Sequence, residues 1–216
     1  MDILYIVIVI AVILFSMTLH EAMHAFTGYW LGDDTAKLQG RLTLNPIKHI
    51  DPFLTLLLPI MLALIGAPIF GGAKPVPFNP DRVRFGEWGA ALIAVAGPLT
   101  NLLIAFVVFG VATLIGDPID LFSSPDSILG LVLYVMVVVN LGFFAFNILP
   151  IPPLDGSRVV YALAPEFVRR GMEAIERFGI IFVFLIVFMA SSQIGALMSA
   201  MIQFFLGIFT AVFGLF

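Results

Sequence analysis

Cysteine is absent from the 216 residues. That excludes disulfides and thiolate metal sites, so any metal must be held by His, Asp or Glu. Charge is scarce as well. Asp, Glu, Lys and Arg make up 11% of the chain, against 61% hydrophobic residues. A water-soluble domain needs far more polar surface than this. The formal charge is −4, and no basic cluster with interleaved aromatics is present, which argues against nucleic acid as a partner. No low-complexity tract or long repeat is visible, and no polar segment is long enough to be a separate soluble domain. The first residues lack the basic start of a secretory signal, Asp2 being the only early charge, so the first apolar run reads as a retained span.

What is there is apolar sequence in blocks. A helical span takes roughly 20 apolar residues. Runs at about 3–31, 53–70, 88–116, 127–149, 178–191 and 194–214 predict an all-α polytopic membrane protein of five to six transmembrane helices. The run 53–70 is short and carries Pro59, Gly66 and Pro68, which disfavour a straight helix. All ten Lys and Arg residues flank the runs at 32–52, 71–87 and 150–177, and none lies in 116–127 or 192–193. If 53–70 dips in and returns, every basic residue falls on one side. That reading makes 53–70 re-entrant, with the N-terminus outside and the C-terminus cytoplasmic. At 36–44, Leu38, Leu42 and Leu44 alternate with polar neighbours. A period of two predicts a strand or small hairpin at the membrane surface. Its edge could take an unwound peptide by strand addition.

Ionisable residues inside an apolar run are costly and usually mark function. The stretch TLHEAMHAF (18–26) carries three. His20 and His24 are four apart and share a helix face, so both imidazoles reach one ion. Glu21 sits one step round, able to act on a water at that ion without being a ligand. H-E-x-x-H on a helix is a zinc metalloprotease signature. Catalytic zinc takes a third protein ligand. Asp155, in NILPIPPLDG (147–156), lies close to the end of the fourth long run, although it also suits a turn or helix cap. His49, in NPIKHIDP near the interface, is the rival. Asp120 and Asp126 fall in the loop read as outside.

The chain resembles the site-2 protease family of intramembrane zinc metalloproteases. The resemblance rests on His20, Glu21 and His24, then GRLTLNP (40–46), GGAKPVPFNP (71–80), AGPLTN (96–101) and NILPIPPLDG (147–156), in the family's order. It implies a core built from the first, third and fourth long runs. It implies one Zn2+ per chain held by His20, His24 and Asp155, with Glu21 as base and Asn147 at the substrate or the oxyanion. The partners it implies are the bilayer and a membrane-spanning protein substrate, with an unidentified regulatory membrane partner. The PDZ and CBS domains of many relatives have no counterpart here, so the likeness is to the short bacterial or archaeal branch. The chain then forms one membrane protease domain over 1–216, with a catalytic core at about 3–165 and accessory helices at about 173–214. The expected membrane is the plasma membrane of a prokaryote, with the site near its cytoplasmic face.

Two other classes fit parts of this pattern. A metal transporter also lines its path with His and Asp, but few other intramembrane ionisable groups exist to form a relay. A catalytically silent protein that binds membrane helices would have no need of Glu21.

Overall fold

The computed structural model describes residues 3–57, 60–61, 72–116, 119 and 127–214. The α-helices among them are α1 (Ile3–Trp30), α2 (Thr35–Leu38), α3 (Glu87–Leu114), α4 (Ile128–Asn147), α5 (Gly156–Leu163), α6 (Glu166–Glu176), α7 (Ile180–Met189) and α8 (Ser191–Phe213). Four of them, α1, α3, α4 and α8, are long and apolar enough to cross a membrane. Those four are the spans found among the described residues, fewer than the five to six expected. The run 178–191 yields only the ten-residue α7. Gly179, at φ 56, interrupts the helix before it and Ala190 ends it. Ten residues rise about 15 Å, half a hydrocarbon core. Instead of crossing, α7 sets Val183 against Leu149 and Leu154. Of the 53–70 run, Pro52–Leu57 forms one π-type turn. Residues 58–59 and 62–71 lie outside the described residues, as do Asp120 and Asp126.

The strand expected at 36–44 is not formed. Asp33 accepts hydrogen bonds from the N–H (3.0 Å) and hydroxyl (2.5 Å) of Thr35, starting a helical turn instead. Gly40 closes that turn in the left-handed region, at φ 66, and the Arg41 N–H returns to the Ala36 carbonyl (2.8 Å). This is a helix-ending bond pattern that needs a residue such as glycine at the left-handed position. Leu38 and Leu44 point outward, so their alternation records no pleated face. The strand-addition idea loses its edge with the strand.

The core is made by α1, α3 and α4. Small residues on α3, among them Ala90, Ala94, Gly97 and Ala105, are buried where the helices meet, allowing close approach without large side chains. Near the start of α1, Ile8, Val12 and Ile13 pack on Val135 of α4. Farther along α3, Phe109 meets Val137 and Leu141 of α4 and Phe209 of α8. Helix α8 is otherwise little covered, and Phe204, Ile208 and Val212 project outward as lipid-facing groups do.

Sidedness follows from contacts. The Arg84 N–H donates to the Leu31 carbonyl (2.9 Å), joining the end of α1 to the approach to α3. Asn79 likewise donates to Asp33 (2.7 Å). The end of α1 and the start of α3 therefore lie at one end of the bundle. Arg158 stacks over Phe78 and pairs with Glu176, which brings the basic residues after α4 to that same end. Helix α8 runs back to the far end, because Phe213 packs on Phe109 of α3. Residue 213 is therefore on the side where α1 begins, not on the basic side as expected. The reason is that α7 does not cross.

Gly156 fixes how α4 turns into α5. A Cβ there would lie 2.1 Å from the Ile148 carbonyl oxygen and 2.7 Å from that of Leu149. Both obstacles are backbone. Gly156→Ala is expected to lower the unfolding temperature in detergent and to shift the neighbouring Asp155. Thermal scans of the native protein and the variant, with bound zinc measured in parallel, check this; unchanged values for both quantities would refute it.

Candidate active site

Helix α1 buries Ser16, His20 and His24 at four-residue spacing, one stripe facing α3 and α4. The two imidazoles meet edge to face, with His20 Nε2 3.0 Å from His24 Nε2. Asp155, at the start of α5, brings Oδ2 to 3.2 Å from His20 Nε2 and 3.5 Å from His24 Nε2. Glu21 is buried alongside, and its carboxylate and the two imidazoles have ligand atoms within 4.8 Å of one another.

The protonation of the imidazoles can be followed through the bundle. The Met136 carbonyl can only accept, so the Asn140 Nδ2 at 2.8 Å from it is a donor. Asn140 Nδ2 also donates to Ser16 Oγ (2.8 Å), and its Oδ1 accepts from Asn101 Nδ2 (2.9 Å). Asn101 Oδ1 therefore faces His20 Nδ1, at 2.6 Å, and must accept from it. His24 Nδ1 donates to the Ile93 carbonyl (2.7 Å). Both rings thus carry their proton on Nδ1 and aim an Nε2 lone pair at the other ring and at Asp155. Asp155 Oδ2 is buried without a hydrogen-bond partner. Three acceptor atoms this close need a proton or a metal ion among them. Zinc bonds of about 2.0–2.1 Å at tetrahedral angles place ligand atoms roughly 3.3 Å apart, so this donor set fits zinc. Histidine ligands commonly donate the other ring N–H to a fixed acceptor, which sets the tautomer and orientation.

Gly97 makes room for the pair. A Cβ at that position would lie 2.5 Å from His24 Nε2 and 2.6 Å from His20 Nε2. Two further candidates, the rival ligand His49 and Asn147, have partners of their own. His49 is buried, but its Nε2 donates to the Thr43 carbonyl (2.8 Å), and it belongs to the loop rather than to the His20 cluster. Asn147, at the end of α4, donates an amide N–H to the Phe143 carbonyl of its own helix (3.0 Å). Sequence reasoning gave no individual functional role to Ser16, Gly97, Asn101 or Asn140. Ser16 could have been found from its spacing to His20.

Two buried histidines with two carboxylates beside them, inside an apolar bundle, have the chemistry of a metal-dependent hydrolase of the membrane. Comparison with known proteins makes this specific. Residues 115–192 match the model of peptidase family M50. The chain is 38% identical over 213 residues to "Putative zinc metalloprotease YwhC" of Bacillus subtilis, covering 97% of this chain and 92% of that one. It is 33% identical over 193 residues to "Putative zinc metalloprotease Rip2" of Mycobacterium tuberculosis, covering 88% of this chain and 69% of that one. No solved structure matches. The chain belongs to peptidase family M50, the site-2 protease family, and is an intramembrane zinc metalloprotease.

Asn101→Leu leaves the His20 Nδ1–H without an acceptor and frees the ring to turn. Zinc affinity is expected to fall roughly 10- to 100-fold, the usual cost of losing a histidine's outer partner. Competition against a chelating dye reads this directly. Gly97→Ala, which pushes on both rings at once, is expected to abolish stoichiometric zinc.

Proposed function

We propose that His20, His24 and Asp155 hold the zinc and that Glu21 is the general base for hydrolysis of peptide bonds in membrane-spanning segments. The observation that carries this reading is the convergence of two Nε2 lone pairs and Asp155 Oδ2 within 3.5 Å, with Glu21 beside them. Bound zinc supplies a Lewis acid that polarises the scissile carbonyl and makes water acidic enough to be deprotonated near neutral pH. Glu21 Oε2 is held by the Val76 N–H (2.9 Å), which leaves Oε1 to take the proton of the attacking water and pass it to the leaving amine. Asn147 has a second amide N–H beyond the one given to Phe143, and in this reading it steadies the substrate carbonyl.

The peptide to be cut starts as a helix with its backbone bonds satisfied, so it must unwind before Glu21 can act on it. The basic residues gathered at the site's end of the bundle support placing that end at the cytoplasmic face of a prokaryotic plasma membrane. In this reading 53–70 re-enters without crossing, 3–165 is the catalytic core and 173–214 is accessory. A regulatory membrane partner stays part of the proposal without an identity. Transport is the weaker reading. The four long helices carry no acidic, basic or histidine side chain besides His20, Glu21, His24 and the terminal Glu87, so these helices offer no relay of such groups to the far side.

The test compares membranes holding the native protein with membranes holding Glu21→Gln, sequencing new peptide termini inside membrane segments. Termini are expected to disappear in the variant while zinc stays bound. A folded, zinc-loaded variant that still yields them would refute Glu21 as base.

A further inference from the structure

An extended segment, 72–79, passes beside the site with no helical bonds of its own. It is held from three directions. The Lys74 N–H donates to the His49 carbonyl (2.9 Å), Thr55 Oγ1 donates to the Gly72 carbonyl (2.6 Å), and the Asn79 N–H donates to Asp33 Oδ2 (2.7 Å). At its centre the Val76 N–H donates to Glu21 Oε2. Prolines at 75 and 77 flank Val76. They have no N–H to offer, and Pro77 biases Val76 toward extended backbone. The sequence thus sets out one isolated donor between Lys74 and Phe78, and that donor goes to the base.

Arg41 grips the same place from the other side. Its Nη2 donates to the Lys74 carbonyl and lies 3.5 Å from the Pro75 carbonyl oxygen. The residue is 5% exposed, and its Nε is buried without an acceptor. Among the described residues no carboxylate pairs with it. A buried cation without an anion is costly. Here the anion stands one peptide unit away: the Pro75 carbonyl turns toward Arg41, and the amide N–H of that same unit, on Val76, turns toward Glu21.

We infer that Arg41 is a positioning residue for Glu21, acting through the Pro75–Val76 peptide unit. The inference rests on the reading of Glu21 as base. The guanidinium fixes the segment and polarises the amide, and a polarised N–H holds carboxylate more firmly. The intervening peptide has a chemical advantage over direct contact. A guanidinium facing Glu21 would engage both carboxylate oxygens in a fork. A single N–H engages Oε2 alone and leaves Oε1 free to accept a proton. The bond also fixes the carboxylate's rotation, so Oε1 faces the site in every molecule.

The absence of cysteine makes the test clean, because Ala73→Cys adds a single thiol at a buried position of the segment. Four chains carrying that cysteine are compared: otherwise native, Arg41→Met, Arg41→Lys and Val76→Pro. Three quantities are read in each: maleimide labelling rate, bound zinc, and the membrane termini that depend on Glu21. Arg41→Met is expected to label faster and to lose roughly 10- to 100-fold of the termini, as a displaced catalytic group does, with zinc retained. Arg41→Lys keeps a donor for the carbonyls and should restore most of both properties. Val76→Pro removes the N–H and closes a ring on the nitrogen at a φ the non-helical segment can take, so labelling should stay slow while the termini fall as in Arg41→Met. Native levels of termini in Val76→Pro would overturn the inference, as would Arg41→Lys behaving like Arg41→Met. If Glu21→Gln itself leaves the termini intact, the base assignment fails and this inference fails with it. Loss in Glu21→Gln beside native levels in Val76→Pro overturns only the inference.

Discussion

Two imidazoles with their protons committed to the far nitrogen cannot face each other and a carboxylate in an apolar bundle without a proton or a metal ion among them. Much of the structure serves that constraint. Water would normally supply the missing donors, but these groups are buried among lipid-facing helices. The tautomers must therefore be fixed by protein groups, and a chain from Met136 through Asn140 and Asn101 does so for His20. The helices must also come close, which explains small residues on α3 and a glycine where the rings lie. The polar network is thus a consequence of placing metal chemistry where unpaired polar groups are expensive.

The same constraint accounts for the irregular backbone around the site. Asp155 comes from the link between α4 and α5, and the segment that meets Glu21 is extended. The extended segment could not serve from within a regular helix. A residue inside a helix has its N–H committed to the carbonyl four residues earlier, whereas Val76 has one to give. Irregular backbone near a membrane needs its own partners. The loop supplies them through Asp33, His49, Thr55 and Arg41. Conserving donors for the site and satisfying the loop are one arrangement here rather than two.

How much of this was legible in the sequence depends on the range of each interaction. His20, Glu21 and His24 declare themselves, because the helix puts residues four apart on one face and the pattern lies within one turn. Asp155 was legible as a candidate from its chain position, and the resemblance favoured it over His49. The outer partners were not, since Asn101 lies 81 positions from His20 and Asn140 lies 124 from Ser16. Polar residues in apolar runs carry no label for the neighbour they meet. The failures were local. Leucines alternating over a few residues imitated a strand, but Asp33 and Gly40 decided for a helical turn. An apolar run of span-like composition at 178–191 became a short helix, because composition says nothing of where Gly179 turns the chain.

The loop residues make the general point sharper. Arg41 and Asp33 sit in stretches that periodicity describes poorly, yet both are buried, and both direct their polar atoms at the segment beside Glu21. A charged residue next to an apolar run ordinarily reads as an interfacial anchor or a marker of sidedness. Lys37, exposed and resting on Tyr29, answers to that description. Arg41, four positions on, does not. The difference is the Gly40 turn, which folds the chain back so that position 41 enters the protein while position 37 stays outside. One glycine's backbone freedom therefore separates a topological signal from a functional one, and counting basic residues treats the two alike.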